Sequence, residues 1–95
     1  MRKYEIMVII DPDTDERQVP ALVEKHLKVI TDGGGTVDNQ DIWGRRRMAY
    51  EINKKPEGIY AVLNVTAPSD VVSEMDRLMT IDEQIMRTKV MRTDK

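Results

Sequence analysis

The run Tyr4–Ile10 constrains the fold more than any other part of the sequence. It is rich in β-branched residues, which favour strands, and from Ile6 onward it is apolar at both alternating sets of positions. Met7 and Ile9 therefore form a second apolar face. A strand with two apolar faces is typically covered on both and lies in the middle of its sheet. We expect a central strand that ends at Asp11-Pro12-Asp13.

A helical pattern follows this strand. Apolar residues recur at spacings of three and four between Val19 and Ile30, which predicts one amphipathic helix. Asp13 and Glu16 resemble a capping box at its start, and Gly33-Gly34-Gly35 is typical of its C-terminal end. We interpret the triplet as structural, because it follows a helix and lacks the Lys-Ser/Thr pair of a phosphate-binding loop.

His26, the only histidine, lies on the apolar stripe of this helix. A general base or a metal ligand needs partner groups, and that face offers no second histidine, no cysteine and no obvious carboxylate. The chain has no cysteine, which also excludes a disulfide framework and a thiolate metal site. We therefore expect a hydrogen-bonded histidine at the margin of the stripe, with no metal and no cofactor.

The middle of the chain predicts a hairpin with a basic tip. Thr36–Ile52 is a long strand, and Asn53–Gly58 has the composition of a turn. Ile59–Val65 is the strand that follows it. The glycine at position 44 indicates a bulge or a close approach of the backbone.

Three consecutive arginines, Arg45, Arg46 and Arg47, lie in the first strand of this hairpin. Their guanidinium groups suit phosphate or carboxylate recognition, although charge also keeps many edge strands soluble. Because strand side chains alternate, Arg45 and Arg47 are expected on the Trp43 face and Arg46 on the other, unless a bulge at Gly44 resets the register.

The remaining pattern completes the fold prediction. Pro68–Asp70 opens a second amphipathic helix, and Ile85–Arg92 has the mixed apolar and basic character of an edge strand. The order strand, helix, strand, strand, helix, strand is that of the α+β, ferredoxin-like (βαββαβ) fold, a four-stranded antiparallel sheet with two helices on one face. Residues 1–95 are expected to form a single domain, because the chain is too short for two cores.

Two helices on one face leave the other face of the sheet uncovered. That face is predicted to be apolar, which on a small domain indicates a protein partner. Its expected residues are Met7, Ile9, Trp43, Tyr60 and Val62.

Charge and hydropathy limit the function classes. The net charge of −2 argues mildly against a stand-alone nucleic-acid-binding protein, although the basic residues cluster at both chain ends and between Arg45 and Lys55. The longest apolar stretch is too short to span a bilayer, and the N-terminus lacks the apolar region of a signal peptide. We expect a cytoplasmic protein with no membrane partner.

Several segments together carry a resemblance to a known family. They are Arg2/Tyr4-Glu5, Asp11-Pro12, Trp43 to Lys54, Asp82, Ile85-Met86-Arg87 and Val90-Met91-Arg92. The central segment is similar to Gly-basic-Arg-x-Leu-Ala-Tyr-x-Ile, so the chain resembles the bacterial small-subunit ribosomal protein S-six (S6) family over essentially its whole length. Met48 replaces a usual leucine and Glu51 a common proline.

The resemblance implies a non-enzymatic structural constituent of the small ribosomal subunit, with the ferredoxin-like fold. It implies binding to the central domain of small-subunit ribosomal RNA together with ribosomal protein S-eighteen, and no small-molecule substrate. RNA binding is expected through phosphates rather than bases. The expected RNA-binding residues are Arg2, Lys3, Arg45, Arg46, Arg47, Lys54, Arg87 and Arg92. The expected partner-binding residues are Met7, Ile9, Trp43, Tyr50, Tyr60 and Val62.

Three other functions occur on this fold. An acylphosphatase-like hydrolase needs an arginine-containing anion cradle after the first strand, whereas Asp11–Asp15 would repel phosphate. An RNA-recognition-motif protein stacks bases on aromatic residues of the third strand, and Gly58–Val65 contains one aromatic residue. A small regulatory or ligand-binding domain that dimerises through its sheet fits the composition, but it leaves the arginine triplet unexplained.

Overall fold

The elements follow the predicted order. The computed structural model describes residues 1–52 and 54–93. Its strands are β1 (Arg2–Ile10), β2 (Thr36–Ile52), β3 (Lys55–Ala67) and β4 (Ile85–Arg92). Its helices are α1 (Val19–Asp32), preceded by a short 3-10 helix over Glu16–Gln18, and α2 (Ser69–Thr80).

The four strands form one antiparallel sheet in the order β2-β3-β1-β4. The central position predicted for β1 is confirmed, because it pairs with β3 on one side and β4 on the other. The edge position predicted for β4 is also confirmed. Since β2 is the other edge, its arginines lie on a strand with one unpaired side.

The core lies between one face of the sheet and the two helices. Alternate residues of β1, such as Ile6, Val8 and Ile10, are almost fully buried against α1 and α2. The same face of β3 is equally buried, and Met75 and Met79 of α2 pack in this core. The methionines of α2 are thus core residues. The strand order, with both helices on one face of the sheet, confirms the predicted ferredoxin-like fold.

The start of the first helix differs from the prediction. Asp15, not Asp13, caps the short 3-10 helix that precedes α1, and its side chain accepts a hydrogen bond from the backbone N–H of Arg17 at 2.9 Å. A turn of 3-10 helix intervenes before α1, so the cap lies two residues later than the capping box implied. The C-terminal end agrees with the prediction, and Gly34 adopts a φ of 89° there.

The β2–β3 hairpin is longer than predicted. β3 begins at Lys55 rather than Ile59, and the hairpin continues past Ile10–Ile59, the pair at which β1 ends. Lys54 lies at its tip with a φ of 65°, and the predicted turn residue Asn53 lies outside the described residues. We call residues 46–52 and 54–58 the distal hairpin.

Candidate nucleic-acid and protein interface

The predicted RNA-binding residues fall into two groups at opposite ends of β1. Lys3 and Arg92 are neighbours at one end, because Tyr4 pairs with Arg92 and the backbone of Thr93 donates to the Lys3 carbonyl at 2.9 Å. Arg2 lies at the same end. The larger group lies at the other end, about 20 Å away at 3.3 Å per strand residue. It comprises Arg45, Arg46, Arg47, Lys54 and Arg87.

A bulge changes the faces expected for the arginine triplet. Ile42 pairs with Ala61 and Gly44 with Tyr60, so Trp43 is the extra residue, and Gly44 has a φ of 84°. The prediction that Arg45 and Arg47 share the Trp43 face excepted a bulge at Gly44, and that exception applies, because the bulge changes the register of the residues that follow.

The register places each arginine on one face of the sheet. Arg45 pairs with the core residue Ile59, so it lies on the helix side, as does Arg47 two residues later. Arg46 pairs with Gly58 and shares the opposite face with Trp43. We call that face, which the helices do not cover, the open face.

The three arginines also differ in their contacts. Arg45 donates from Nη1 to the Pro12 carbonyl oxygen at 2.9 Å, and its Nε lies 3.7 Å from Glu16 Oε1. Among the described residues, Arg46 donates only to the neighbouring Arg45 carbonyl, at 3.3 Å. Within residues 1–52 and 54–93, the Arg47 and Lys54 side chains make no hydrogen bond or ion pair and are exposed. These two cations are thus available to an external anion.

The open face carries the predicted apolar residues, but two of them are more buried than expected. Ile9 pairs with Tyr60 and Met7 with Val62, as the strand order requires. Ile9 is 9% exposed and Val62 only 7%. The prediction that these two are uncovered is wrong, because each lies on a central strand with a paired strand on both sides, and neighbouring side chains shield it.

Met48 and Ile9 lie on the same part of the open face, beside Gly58. Met48 is 9% exposed. A Cβ atom added to Gly58 would lie 3.6 Å from the Met48 sulfur. The absence of a Cβ at Gly58 is required here, since that atom would overlap Ile9 Cγ2. Gly58 therefore allows the distal hairpin to lie close against β1.

Aromatic residues remain accessible on the open face. Trp43 is 42% exposed and stacks on Tyr60, with ring centroids 6.3 Å apart and an angle of 5° between planes. Tyr50 is 61% exposed, and its hydroxyl oxygen accepts a hydrogen bond from Arg87, whose guanidinium carbon lies 5.9 Å from the Tyr50 ring centroid. Arg87 is thus engaged by a predicted partner-binding residue.

A cleft of about 440 Å³ opens beside these residues. Met7, Ile9 and Tyr60 line it from the sheet, and residues 48–50 and Ile52 line it from β2. Arg87 and Lys89 of β4 supply positive charge at its rim. Sequence reasoning missed Met48 and Ile52 as parts of this site, because the path of β2 after Arg47 has no local signal. It also missed Lys89 of β4, which reaches the cleft only through the pairing of β4 with β1.

A further basic residue that sequence reasoning left out, Lys55, joins the distal hairpin to the loop after β1. Its Nζ donates to both carboxylate oxygens of Asp11 at 2.8 Å and to Asp13 Oδ2 at 2.9 Å. The Lys55 contact, with a backbone N–H from Asp13, holds the pKa of Asp11 below its ordinary value. The Asp11 and Asp13 contacts raise the pKa of Lys55.

His26 has the satisfied ring nitrogen that was predicted. It is 3% exposed, and its Nε2 lies 2.9 Å from Asp82 Oδ2. Burial acts to raise the pKa of the Asp82 carboxyl, but the Gln84 backbone N–H, His26 and Lys25 together hold it below its ordinary value. Asp82 follows α2, so its approach to His26 on α1 is a consequence of helix packing.

Two classes of site are absent from the described part of the chain. Residues 1–52 and 54–93 contain no group of three or more histidine, cysteine or acidic side chains arranged to hold a metal ion. Over the same residues, neither helix has the length and apolar character needed to cross a membrane.

Comparison with known proteins gives a consistent family. The model of the family described as Ribosomal protein S6 matches residues 3–92. The chain is 64% identical over 94 residues to the small ribosomal subunit protein bS6 of Cutibacterium acnes, covering 99% of this chain and 98% of that protein. It is 57% identical over 95 residues to bS6 of Leifsonia xyli, covering 100% of this chain and 74% of that protein.

A solved structure has the same fold. The crystal structure of 30S ribosomal protein S6 from Thermotoga maritima superimposes with a TM-score of 0.89 at 32% sequence identity. The superposition covers 97% of this chain and 87% of the Thermotoga chain.

Proposed function

Because the chain belongs to the ribosomal protein S6 family, we propose that it binds the central domain of small-subunit ribosomal RNA jointly with ribosomal protein S-eighteen. Its role as a structural, non-enzymatic constituent of the small ribosomal subunit, at cytoplasmic ribosomes, follows from the family. Binding to this RNA and to this protein partner is the proposal, and residues 1–95 are proposed to act as one domain in that binding.

The observation that carries the RNA proposal is the set of accessible cations on the distal hairpin. Arg47 and Lys54 are exposed and unpaired within the described residues, and Arg46 is held only by a neighbouring carbonyl. The hairpin extends beyond Ile10–Ile59, the last residue pair between β1 and β3. It can therefore reach into a groove or a backbone turn of the RNA. Such cations neutralise phosphates and fix position without reading sequence.

A second, smaller RNA contact is proposed at the opposite end of β1. Arg2 and Lys3 are exposed there, beside Arg92 on β4. Two basic groups about 20 Å apart, by the rise of a strand, suit two separate backbone segments of folded RNA rather than one. RNA shape would then supply much of the selectivity.

The protein partner is proposed to bind the open face. Trp43 and Tyr50 are large, accessible aromatic residues, and the cleft that Tyr50 lines is also lined by Met7 and Tyr60. Aromatic anchors surrounded by arginine are typical of protein interfaces. Arg87 and Lys89 at the rim favour an apolar side chain flanked by a carboxylate on S-eighteen. Ile9 and Val62 support this surface from beneath.

An enzyme or a sheet-mediated dimer receives less support. The β1–α1 loop, residues 11–15, presents carboxylates rather than an anion cradle, and Lys55 is occupied by them. A dimer through the open face would bring Arg46, Arg87 and Lys89 of two copies together, and like charges oppose that association.

The test is RNA binding by the purified chain, with and without S-eighteen, across a salt series. A single patch neutralises few phosphates, so the lone chain should bind a central-domain transcript weakly and lose that binding as salt rises. Tight binding is expected only when S-eighteen is present. Nanomolar binding by the lone chain at physiological salt would contradict the joint mode, and no binding by the pair would contradict the proposal itself.

A further inference from the structure

We propose that Lys55 is a positioning residue for RNA binding: through Asp11 and Asp13 it fixes the distal hairpin against the β1–α1 loop, so that the hairpin cations meet the RNA in one orientation. This inference rests on the proposed RNA contact and adds a role for three residues that do not touch the RNA.

Every N–H donor of the Lys55 ammonium group has an acceptor within the protein. An ammonium group has three N–H donors, and three carboxylate oxygens lie 2.8, 2.8 and 2.9 Å from Nζ. The Lys55 side chain is 32% exposed and that of Asp11 24%, so the contact is partly shielded from solvent. The Lys55 charge is therefore used within the protein and is not available to a phosphate.

A second contact joins the same two parts of the molecule. Arg45 of β2 donates to the Pro12 carbonyl at 2.9 Å and lies 3.7 Å from Glu16. Lys55 belongs to β3, so each strand of the hairpin has one basic residue bound to the segment 11–16. Two attachment points on two strands restrain rotation of the hairpin as well as its displacement.

The distal hairpin needs such restraint. Pairing of β1 with β3 ends at Ile10–Ile59, and the β2–β3 register is irregular between Arg47 and Ile52. An isolated two-stranded hairpin is marginally stable in water. The buried Met48 and the Tyr50–Arg87 hydrogen bond hold its β2 strand to the rest of the molecule. Without the Lys55 contact, its tip and its β3 strand would sample more orientations, and ordering the hairpin cations on RNA would cost conformational entropy.

The contact also explains why acidic residues lie beside a basic hairpin. Carboxylates near a phosphate-binding surface weaken its positive potential. Asp11 and Asp13 share the single charge of Lys55, and the contact lowers the pKa of Asp11 and raises that of Lys55, so it favours the ionised form of each. If the acids only repel phosphate, their removal should tighten RNA binding. If they position the hairpin through Lys55, their removal should weaken it.

The decisive experiment compares two acid-to-amide variants in the presence of S-eighteen and a central-domain transcript. Glu57 is exposed on the distal hairpin, opposite Arg47, and has no ion pair within the described residues. Glu57→Gln should tighten RNA binding, because it removes a repulsive charge. Asp11→Asn removes the same charge but should weaken binding about threefold to tenfold, the scale of ordering one long side chain on binding. Tightening by both variants would overturn the proposal.

Lysine variants provide the second arm. Lys55→Gln should weaken binding like Asp11→Asn, and Lys55→Arg should restore it in large part. Lys28→Gln, an exposed charge on α1, is the matched control and should have little effect. Amide hydrogen exchange should rise in residues 46–52 and 54–58 of Lys55→Gln while the core stays protected, which a general loss of stability would not produce.

The outcomes separate this inference from the proposed function. If the wild-type chain with S-eighteen fails to bind the transcript, the proposed function fails. If the wild type binds and Lys55→Gln and Asp11→Asn bind equally well, only the positioning role is overturned. Should Lys55→Gln unfold, Asp11→Asn and the exchange of the wild-type distal hairpin decide the question.

Discussion

Trp43 lies parallel to Tyr60 across the β2–β3 ladder, with ring centroids 6.3 Å apart and planes 5° apart. Ile42 lies opposite the core residue Ala61, so strand alternation places Trp43 on the open face, where Tyr60 lies opposite Ile9. One indole face is thus covered within the protein, while 42% of the residue remains exposed. The exposed part can serve a partner, and the covered part contributes to stability.

Replacement of Trp43 tests both parts. Trp43→Ala should lower S-eighteen affinity by more than about 1 kcal/mol, the scale of an interface anchor. It should also lower the free energy of unfolding by about 0.5–1.5 kcal/mol, because the aromatic pair is lost. Calorimetric titration and urea unfolding measure the two effects, with Trp43→Phe as the control that retains a ring. Unchanged partner affinity would remove Trp43 from the interface.

The fluorescence of Trp43, the only tryptophan, gives a simpler readout. Its emission in the lone chain should be that of a partly solvated indole and should shift to the blue when S-eighteen is added. An emission that is already blue and does not move would contradict the proposed partner surface.

The arginine triplet should separate into one structural and two binding residues. Arg47→Ala should lower RNA affinity and reduce the salt slope by about one, with stability changed by less than about 0.5 kcal/mol. Arg45→Ala should instead lower the free energy of unfolding by about 0.5–1 kcal/mol, because it loses the Pro12 carbonyl contact at a partly exposed site. Salt-dependent binding and urea unfolding distinguish them, and identical behaviour of the two variants would contradict the assignment.

Gly58 should not tolerate a side chain. Gly58→Ala would place a Cβ against Ile9 Cγ2, and overpacking of this kind costs about 1–3 kcal/mol. The double variant Gly58→Ala/Ile9→Ala removes the clashing atom, so its destabilisation should be smaller than the sum of the single effects. Additive effects in urea unfolding would show that the close approach of the distal hairpin to β1 has been misassigned.

The His26–Asp82 pair should stabilise the packing of α1 against the end of α2. Asp82→Ala leaves the buried His26 ring without its partner and removes the acceptor for the Gln84 backbone N–H. The expected loss is about 1–3 kcal/mol in the free energy of unfolding, the cost of a buried unsatisfied group. Glu83→Ala, at an exposed neighbouring residue, is the control and should change stability by less than about 0.5 kcal/mol.

Acid should remove the contribution of Asp11. Its pKa is lower in the folded chain than in the unfolded chain, so the unfolded state takes up protons first. The stabilisation is therefore fully present above the unfolded pKa of about 4 and is lost as the pH falls through the lower folded pKa. Urea unfolding between pH 7 and pH 3 should show a shallower pH dependence for Asp11→Asn than for the wild type. Parallel curves would mean that the Lys55 contact is not formed in solution.

The sequence by itself determined the fold class, because hydrophobic periodicity is a local property of each segment. The two apolar faces of Tyr4–Ile10 require a central strand, and the stripe between Val19 and Ile30 requires a helix packed on a sheet. Their order leaves few topologies, and the ferredoxin-like arrangement is the one found. The resemblance around Trp43–Lys54 likewise indicated the family from local residues alone.

Only the tertiary structure decided which of the predicted site residues work together. The bulge at Gly44 reversed the face of Arg45 relative to Trp43, because one inserted residue moves every following side chain to the other side of a strand. The Lys55–Asp11 contact joins residues 44 positions apart, and His26–Asp82 joins residues 56 apart. No periodicity encodes such pairs, since they form only where packing of separate elements brings the two side chains within hydrogen-bonding distance.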